Sequence, residues 1–202
     1  RYQQALIFYT DKSNNDTLPK YKKILFSYIK NEVLKKNIEV KNLILFFLEL
    51  EYDNSNALYY LSTIKFHEKE YKQSILLLYK IQEVYVKESL KKDIFKDLDN
   101  YINVYLNILE KQKNSMDKIS FLLLLLEKEP ENDKFKYTLA KQYLDLKYYE
   151  KSKEIFEEIS SSSLYQNKVA AYLAMINKKI SIQDKFTQKI QLDKQGTHFF
   201  IN

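Results

Sequence analysis

The stretch DKFKYTLAKQYLDLKYYEKSKEIFEEISSSSLYQ, residues 133–166, contains two segments in which apolar residues recur at helical spacing. Their shared pattern is Leu139-Ala140-x-x-Tyr143 in the first segment and Tyr149-x-x-Ser152-x-x-x-Phe156-x-x-Ile159 in the second. Ala140 and Ser152 are the small residues of this pattern. A large side chain at either position would push two closely packed helices apart. The stretch therefore predicts a pair of antiparallel helices, a helical hairpin.

The composition extends this prediction to the whole chain of 202 residues. It contains Gly 1 and Pro 2, although glycine alone makes up ~7% of an average protein. Sheets and tight turns need these residues, whereas long helices exclude them. Hydrophobic residues make up 45% and charged residues 30%, as in globular proteins. The composition therefore predicts an all-α fold.

Related patterns occur earlier in the chain. Residues 55–88 repeat the skeleton as Leu61-Ser62 followed by Tyr71-x-x-Ser74-x-x-x-Leu78-x-x-Ile81, and residues 99–132 repeat it with Leu106 at the small position. These segments resemble the tetratricopeptide repeat (TPR), whose units carry Leu-Gly-x-x-Tyr and then Tyr-x-x-Ala-x-x-x-Phe-x-x-Ala. The resemblance implies a right-handed superhelix of antiparallel helix hairpins, in which each hairpin stacks on its neighbours.

This register predicts the organisation of the chain. A TPR-like array covers residues 1–186, and residues 187–202 follow it as a separate segment. Within the array we predict these pieces: a partial unit at about 1–18, units at 19–54, 55–98, 99–132 and 133–166, and a capping helix over 164–180.

The apolar pattern changes after Phe186. Ile190 and Leu192 alternate with polar residues, and the only glycine, Gly196, marks a turn. This pattern predicts a β-hairpin or the start of a second domain over 187–202. The segment resembles the opening strands of bacterial retropepsin-like aspartic protease domains. That resemblance implies a catalytic Asp-Thr/Ser-Gly beyond Asn202 and a location in the bacterial cell envelope (periplasm); without it, the cytoplasm is the alternative.

Residues suited to catalysis or metal binding are scarce. Cysteine is absent, and His67 and His198 are too far apart in sequence to form a zinc-binding motif. The single glycine cannot form a phosphate-binding loop. The serines at 160–163 are explained by helix capping. We therefore predict no catalytic residue, no metal site, no cofactor and no small-molecule substrate, and the chain itself is not expected to be an enzyme.

The charge pattern argues against nucleic acid as the partner. The net charge is +6, but 33 basic and 27 acidic residues are interspersed, and Arg1 is the only arginine. Phosphate and base recognition favour the planar guanidinium group.

The longest apolar runs, 43–48 and 121–126, are far shorter than the ~20 residues that span a bilayer, so no transmembrane segment is predicted.

The first helices of TPR units line a concave groove, and the register assigns ten residues to it: Asn56, Tyr59, Thr63, Phe66, Asn100, Asn103, Asn107, Lys134, Tyr137 and Lys141. Tyr137→Ala is expected to weaken binding and leave the fold intact. The alternative is that these residues are solvated surface and that convex or edge surfaces bind.

Three functions follow from these patterns. The first is a scaffold that holds a protein or peptide partner in the groove, as part of a larger complex. The second is the docking or regulatory arm of an aspartic protease whose catalytic part lies beyond Asn202. The third, with less support, is an RNA-binding helical repeat.

Overall fold

The computed structural model describes residues 18–35, 37, 40–82, 88–161 and 163–197. These residues contain helices and turns but no strand, so the predicted all-α class is confirmed. The helices in this part of the chain are α1 (Leu18–Leu34), α2 (Val40–Leu50), α3 (Ser55–His67), α4 (Tyr71–Gln82), α5 (Glu88–Lys111), α6 (Ser115–Lys128), α7 (Asp133–Asp145), α8 (Tyr149–Glu157) and α9 (Gln166–Thr197).

The chain divides into two compact units, one ending at Ile108 and the other beginning at Leu109. In the first unit, α3 packs against α4, α2 and α1; in the second, α8 packs against α7 and α9, and α6 against α7. None of the described helices combines the length and the apolar character needed to cross a membrane.

Three helix–helix turns have the same backbone geometry. Each has a lysine in the left-handed region: Lys69 (φ 66°), Lys113 (φ 54°) and Lys147 (φ 65°). The amide of that lysine donates to the carbonyl three residues back, and the next amide donates to the carbonyl five residues back, over 2.9–3.1 Å. This is a Schellman motif, which stops a helix by satisfying its last carbonyls. Positions 69, 113 and 147 are spaced in the same way as the predicted unit starts at 55, 99 and 133.

A buried serine joins the helices of two hairpins. The Ser74 hydroxyl donates to the carbonyl of Ser62 over 2.7 Å, and the Ser152 hydroxyl donates to the carbonyl of Ala140 over 2.8 Å. All four residues are fully buried. A side chain can bond to the backbone of the facing helix only where the two helices nearly touch. The close approach predicted at Ala140 and Ser152 is therefore confirmed.

The same two hairpins begin with the same cap. The side-chain oxygen of Asn54 accepts from the amide of Ala57 over 3.0 Å, and that of Asn132 accepts from the amide of Phe135 over 3.2 Å. Each asparagine also donates from Nδ2 to the glutamate three residues earlier, Glu51 or Glu129. Such caps satisfy amides that have no partner within the helix. The caps (54 and 132), the serines (74 and 152) and the turn lysines (69 and 147) all recur at one and the same sequence interval.

Each unit has its own apolar core. In the first unit, fully buried Leu25, Ile29, Ile44 and Phe47 from α1 and α2 pack against the buried residues of α3. An ion pair crosses the edge of this core, where Lys41 of α2 donates to both carboxylate oxygens of Glu68 at 2.8 and 2.6 Å.

The core of the second unit is largely aromatic around α8. Phe156 is fully buried and stacks on Tyr172 of α9, with ring centroids 5.3 Å apart. Ala140, Ile159, Val169 and Ile176 complete the buried cluster. The first half of α9 therefore covers the α7–α8 hairpin.

The predicted change from helix to strand after Phe186 requires correction. Helix α9 continues to Thr197 and therefore includes Ile190 and Leu192, which were predicted to lie in a strand. Two alternating apolar residues are too short a pattern to specify a strand, and the Gln, Lys, Leu and Asp residues around them are compatible with a helix. Residues 198–202 of the predicted β segment lie outside the described residues.

Two predicted unit boundaries also differ from the helix bounds. The boundary between 98 and 99 falls inside α5, which begins at Glu88, and the predicted capping helix 164–180 is α9, which extends to Thr197. The predicted partial unit at 1–18 lies outside the described residues except for residue 18.

Candidate functional site

A cleft of about 410 Å³ lies on the first unit, among helices α1, α3 and α5. We call it the α1–α3–α5 cleft. The residues that line it are Lys30, Val33 and Leu34 from α1, Asn56, Tyr59, Tyr60 and Thr63 from α3, and Leu90 and Asp93 from α5. Three predicted groove residues, Asn56, Tyr59 and Thr63, are thus brought together here.

The cleft combines apolar walls with a polar rim. Leu34 is 72% exposed although it is aliphatic, and Tyr60 is half-buried against the core. Lys30 is exposed at the rim, which Asn56 and Asp93 complete. Sites for protein segments commonly have this arrangement, because apolar surface provides affinity and a few polar groups fix orientation.

Tyr59 forms the wall between α3 and α5. Its hydroxyl donates to Oδ2 of Asp97 over 2.7 Å. Burial, and then the hydrogen bond to the Asp97 carboxylate, raise the pKa of Tyr59 far above its usual range. Burial also raises the pKa of Tyr60. Both phenols therefore stay neutral at physiological pH, and the tyrosines offer ring surface rather than charge to a ligand.

The two other predicted groove residues on α3 are Phe66, which packs against α5, and Thr63, which bonds within α3. Phe66 stacks on Tyr101 of α5, with ring centroids 3.8 Å apart and an angle of 12° between the rings. The Thr63 hydroxyl donates to the Tyr59 carbonyl of its own helix over 3.1 Å. Tyr59 and Phe66 therefore serve packing between helices, and Tyr59 and Thr63 line the cleft.

The three predicted asparagines of α5 share one helix face because they are spaced by three and four residues. Asn100 and Asn107 are exposed, and Asn103 is half-buried. None of these three lines the α1–α3–α5 cleft.

The remaining predicted residues lie on α7 in the second unit. Tyr137 stacks on Tyr165 at 4.6 Å and contacts Phe156 edge-on at 5.9 Å. Burial, followed by the hydrogen bond to Tyr172, raises the pKa of Tyr137. Tyr137 occupies the position in its hairpin that Tyr59 occupies in the α3–α4 hairpin, and both tyrosines attach the following long helix to their hairpin. The expectation that Tyr137→Ala leaves the fold intact is therefore revised.

The two lysines predicted with Tyr137 are both half-buried. The hydrogen bond to Lys118 is the main cause that lowers the pKa of Glu110, and the charge of Lys141 lowers it to a smaller extent. Lys134 is the residue whose amide is capped by Asn132. Their part in binding stays a prediction.

No protein-family model matches this chain, and no curated protein or solved structure matches it. The family resemblance therefore rests on the residues that repeat within the chain.

Sequence reasoning missed two walls of the cleft. The register places residues 30, 33 and 34 in the unit at 19–54, and Leu90 and Asp93 in the unit at 55–98, but it assigns none of the five to the groove. The sequence could have indicated Leu34 as a cleft residue. Leu34 is apolar, but it lies at the end of the helix and outside the buried stripe that runs through Leu25, Ile29 and Val33. In the described part of the chain, no cluster of three or more His, Cys, Asp or Glu residues could hold a metal ion.

Proposed function

We propose that the chain is a TPR-like helical-repeat scaffold that binds a segment of a partner protein in the α1–α3–α5 cleft. One observation carries the proposal: first-helix residues that the repeat register assigned to a groove, Asn56, Tyr59 and Thr63, line one cleft with exposed apolar surface. The recurrence of caps, serines and turns at one sequence interval supports the repeat assignment.

The chemistry of the cleft favours a peptide over a nucleic acid. Its lining contains one lysine, Lys30, and one carboxylate, Asp93, so it presents no excess of positive charge to phosphate groups. Asn56 provides both a donor and an acceptor, which suits the backbone of an extended or helical peptide. Leu34 and the tyrosine rings provide the apolar contact. A partner segment with one or two large apolar side chains fits this lining.

The proposal is tested by selecting peptides from a displayed random library on the full chain and measuring their affinity by fluorescence polarisation. Leu34→Ser removes an exposed apolar side chain from the cleft. Tyr52→Ser is the matched control, because Tyr52 is 75% exposed and does not line the cleft. Covering a leucine side chain contributes about 1.5 kcal/mol or more, so Leu34→Ser should weaken binding about tenfold.

The control variant should bind as the unmodified chain does. If the selected peptides bind Leu34→Ser and Tyr52→Ser equally well, the cleft is not the binding site.

A further inference from the structure

The second half of α9 has one face turned towards its own hairpin. Ile180, Gln183, Asp184 and Thr187 line a cleft of about 400 Å³ together with residues of the α7–α8 turn and the start of α8. Further towards the N-terminus, Val169 and Ile176 of α9 are buried in the core. These contacts define the inner face of the helix.

Another face of α9, turned by about 120° from the inner face, carries an exposed apolar stripe. Met175 is 41%, Ile182 56% and Phe186 66% exposed. Because an α-helix turns by about 100° per residue, the spacings of seven and four residues place the three side chains within about 40° of each other. At about 1.5 Å per residue, the stripe is about 16 Å long. We call this stripe and the lysines beside it the α9 outer face.

Between residues 166 and 187, where the structure describes the side chains, all charges on the α9 outer face are positive. Its lysines are exposed: at about 100° per residue, Lys168 and Lys179 lie within about 40° of the axis of the stripe, and Lys178 and Lys185 lie beside it at about 60–80°. Between residues 166 and 187 the only acidic residue is Asp184, which lies on the inner face. Between residues 166 and 187, the outer face is thus a narrow apolar stripe with no carboxylate beside it.

We propose that the α9 outer face binds an apolar groove whose rim carries carboxylates, on a partner protein. The anchor spacing is that of a helix that inserts into a groove, and the flanking lysines complement an acidic rim. A membrane-surface helix needs a wider apolar face than about 40°. A second copy would oppose lysine with lysine across the same stripe. This site lies in the second unit and does not depend on the function proposed for the α1–α3–α5 cleft.

Calmodulin is a suitable probe, because Ca²⁺ exposes its Met-rich apolar groove whereas the Ca²⁺-free protein keeps that groove closed. Binding of the full chain to fluorescently labelled calmodulin is measured by anisotropy with Ca²⁺ and with EGTA. We expect binding with Ca²⁺ only. Phe186→Glu and Lys178→Glu should each weaken it at least about tenfold, since each variant opposes the acidic rim. Leu123→Glu is the matched control, because Leu123 is an apolar residue of α6 that is 45% exposed.

Circular dichroism melts establish that the variants are folded. The proposal would be overturned if the chain does not bind calmodulin, or binds it equally well with Ca²⁺ and with EGTA. It would also be overturned if Phe186→Glu and Leu123→Glu lose the same amount of affinity for calmodulin. The proposal would also be overturned if phosphatidylserine vesicles sediment the unmodified chain but not Phe186→Glu. That result would indicate that the face binds a membrane surface. A dimer in sedimentation equilibrium that Phe186→Glu dissociates would indicate a second copy and would also overturn it.

Discussion

The serine that joins the two helices of each hairpin makes a sharp prediction about stability. The Ser152 hydroxyl is fully buried and donates to the Ala140 carbonyl over 2.8 Å. Ser152→Ala removes this bond, and the Ala140 carbonyl keeps the amide partner that an α-helix provides four residues on. Ser152→Ala should therefore lower the free energy of unfolding by the net contribution of one hydrogen bond, about 1 kcal/mol. For a chain of this length, that lowers Tm by about 2–4 °C.

A larger residue at the same place should be worse than alanine. Ser152→Leu forces extra volume between two backbones that nearly touch, and overpacking of this kind costs about 1–3 kcal/mol or more. Ser74→Ala should cost more than Ser152→Ala, because the Ser74 hydroxyl makes the same contact with the Ser62 carbonyl and is also hydrogen-bonded, over 3.2 Å, to the buried Ser62 hydroxyl, which the variant leaves without that partner. Ser181→Ala, at an exposed position of α9, is the control and should change stability little.

The assay is urea unfolding followed by circular dichroism, with hydrogen exchange to locate the effect. In Ser152→Ala, exchange should accelerate in α7 and α8. If Ser152→Leu is as stable as the unmodified chain, or Ser152→Ala costs no more than Ser181→Ala, the helices do not meet at this serine and the hairpin geometry is wrong.

Three further predictions concern packing and charge. Tyr137→Ala should lower the free energy of unfolding by about 2 kcal/mol or more in urea unfolding, because the ring packs between helices; a change below ~0.5 kcal/mol would contradict this role. Burial, and then Asp97, raise the pKa of Tyr101 to about 12, above the unfolded value of 10.0. The stability from this neutral phenol is therefore complete below pH 10 and is lost as the pH rises towards 12, by up to about 3 kcal/mol. Tyr101→Phe should reduce the alkaline loss of stability without abolishing it, because Tyr59 and Tyr60 also have raised pKa values, and an unchanged pH profile would refute the assignment. Lys41→Met should destabilise the first unit by under ~1 kcal/mol at low salt, because its pair with Glu68 is partly exposed, and the difference should shrink in ~1 M NaCl; a salt-independent difference would indicate lost packing instead.

The hairpins were predictable from sequence because their signals are local. The pairs Leu61-Ser62 and Leu139-Ala140 and the serines that follow them in the second helices specify a close helix contact, and the structure has it. The turns were less visible. They use lysine rather than glycine in the left-handed region, and a composition with Gly 1 gives no sign of where such turns occur.

The cleft was only partly predictable for a physical reason. A repeat register can name the residues on one helix, such as Asn56 and Tyr59, but the facing walls depend on how neighbouring helices pack. Leu34 and Leu90 enter the cleft through that packing. Conversely, an aromatic residue at a predicted groove position can pack against another helix of the protein, as Phe66 packs against Tyr101. The strand predicted after Phe186 was wrong because a short alternating pattern does not distinguish a strand from a helix.

The most direct measurement is a titration of the isotopically labelled chain with a peptide selected from the library, followed by backbone amide shifts in NMR spectra. Binding in the α1–α3–α5 cleft predicts that the largest shifts occur at Lys30, Asn56, Tyr60 and Leu90, with saturation at the Kd measured by polarisation. If the largest shifts instead lie in α7 and α8, or are spread evenly over both units, the cleft is not where this protein binds its partner.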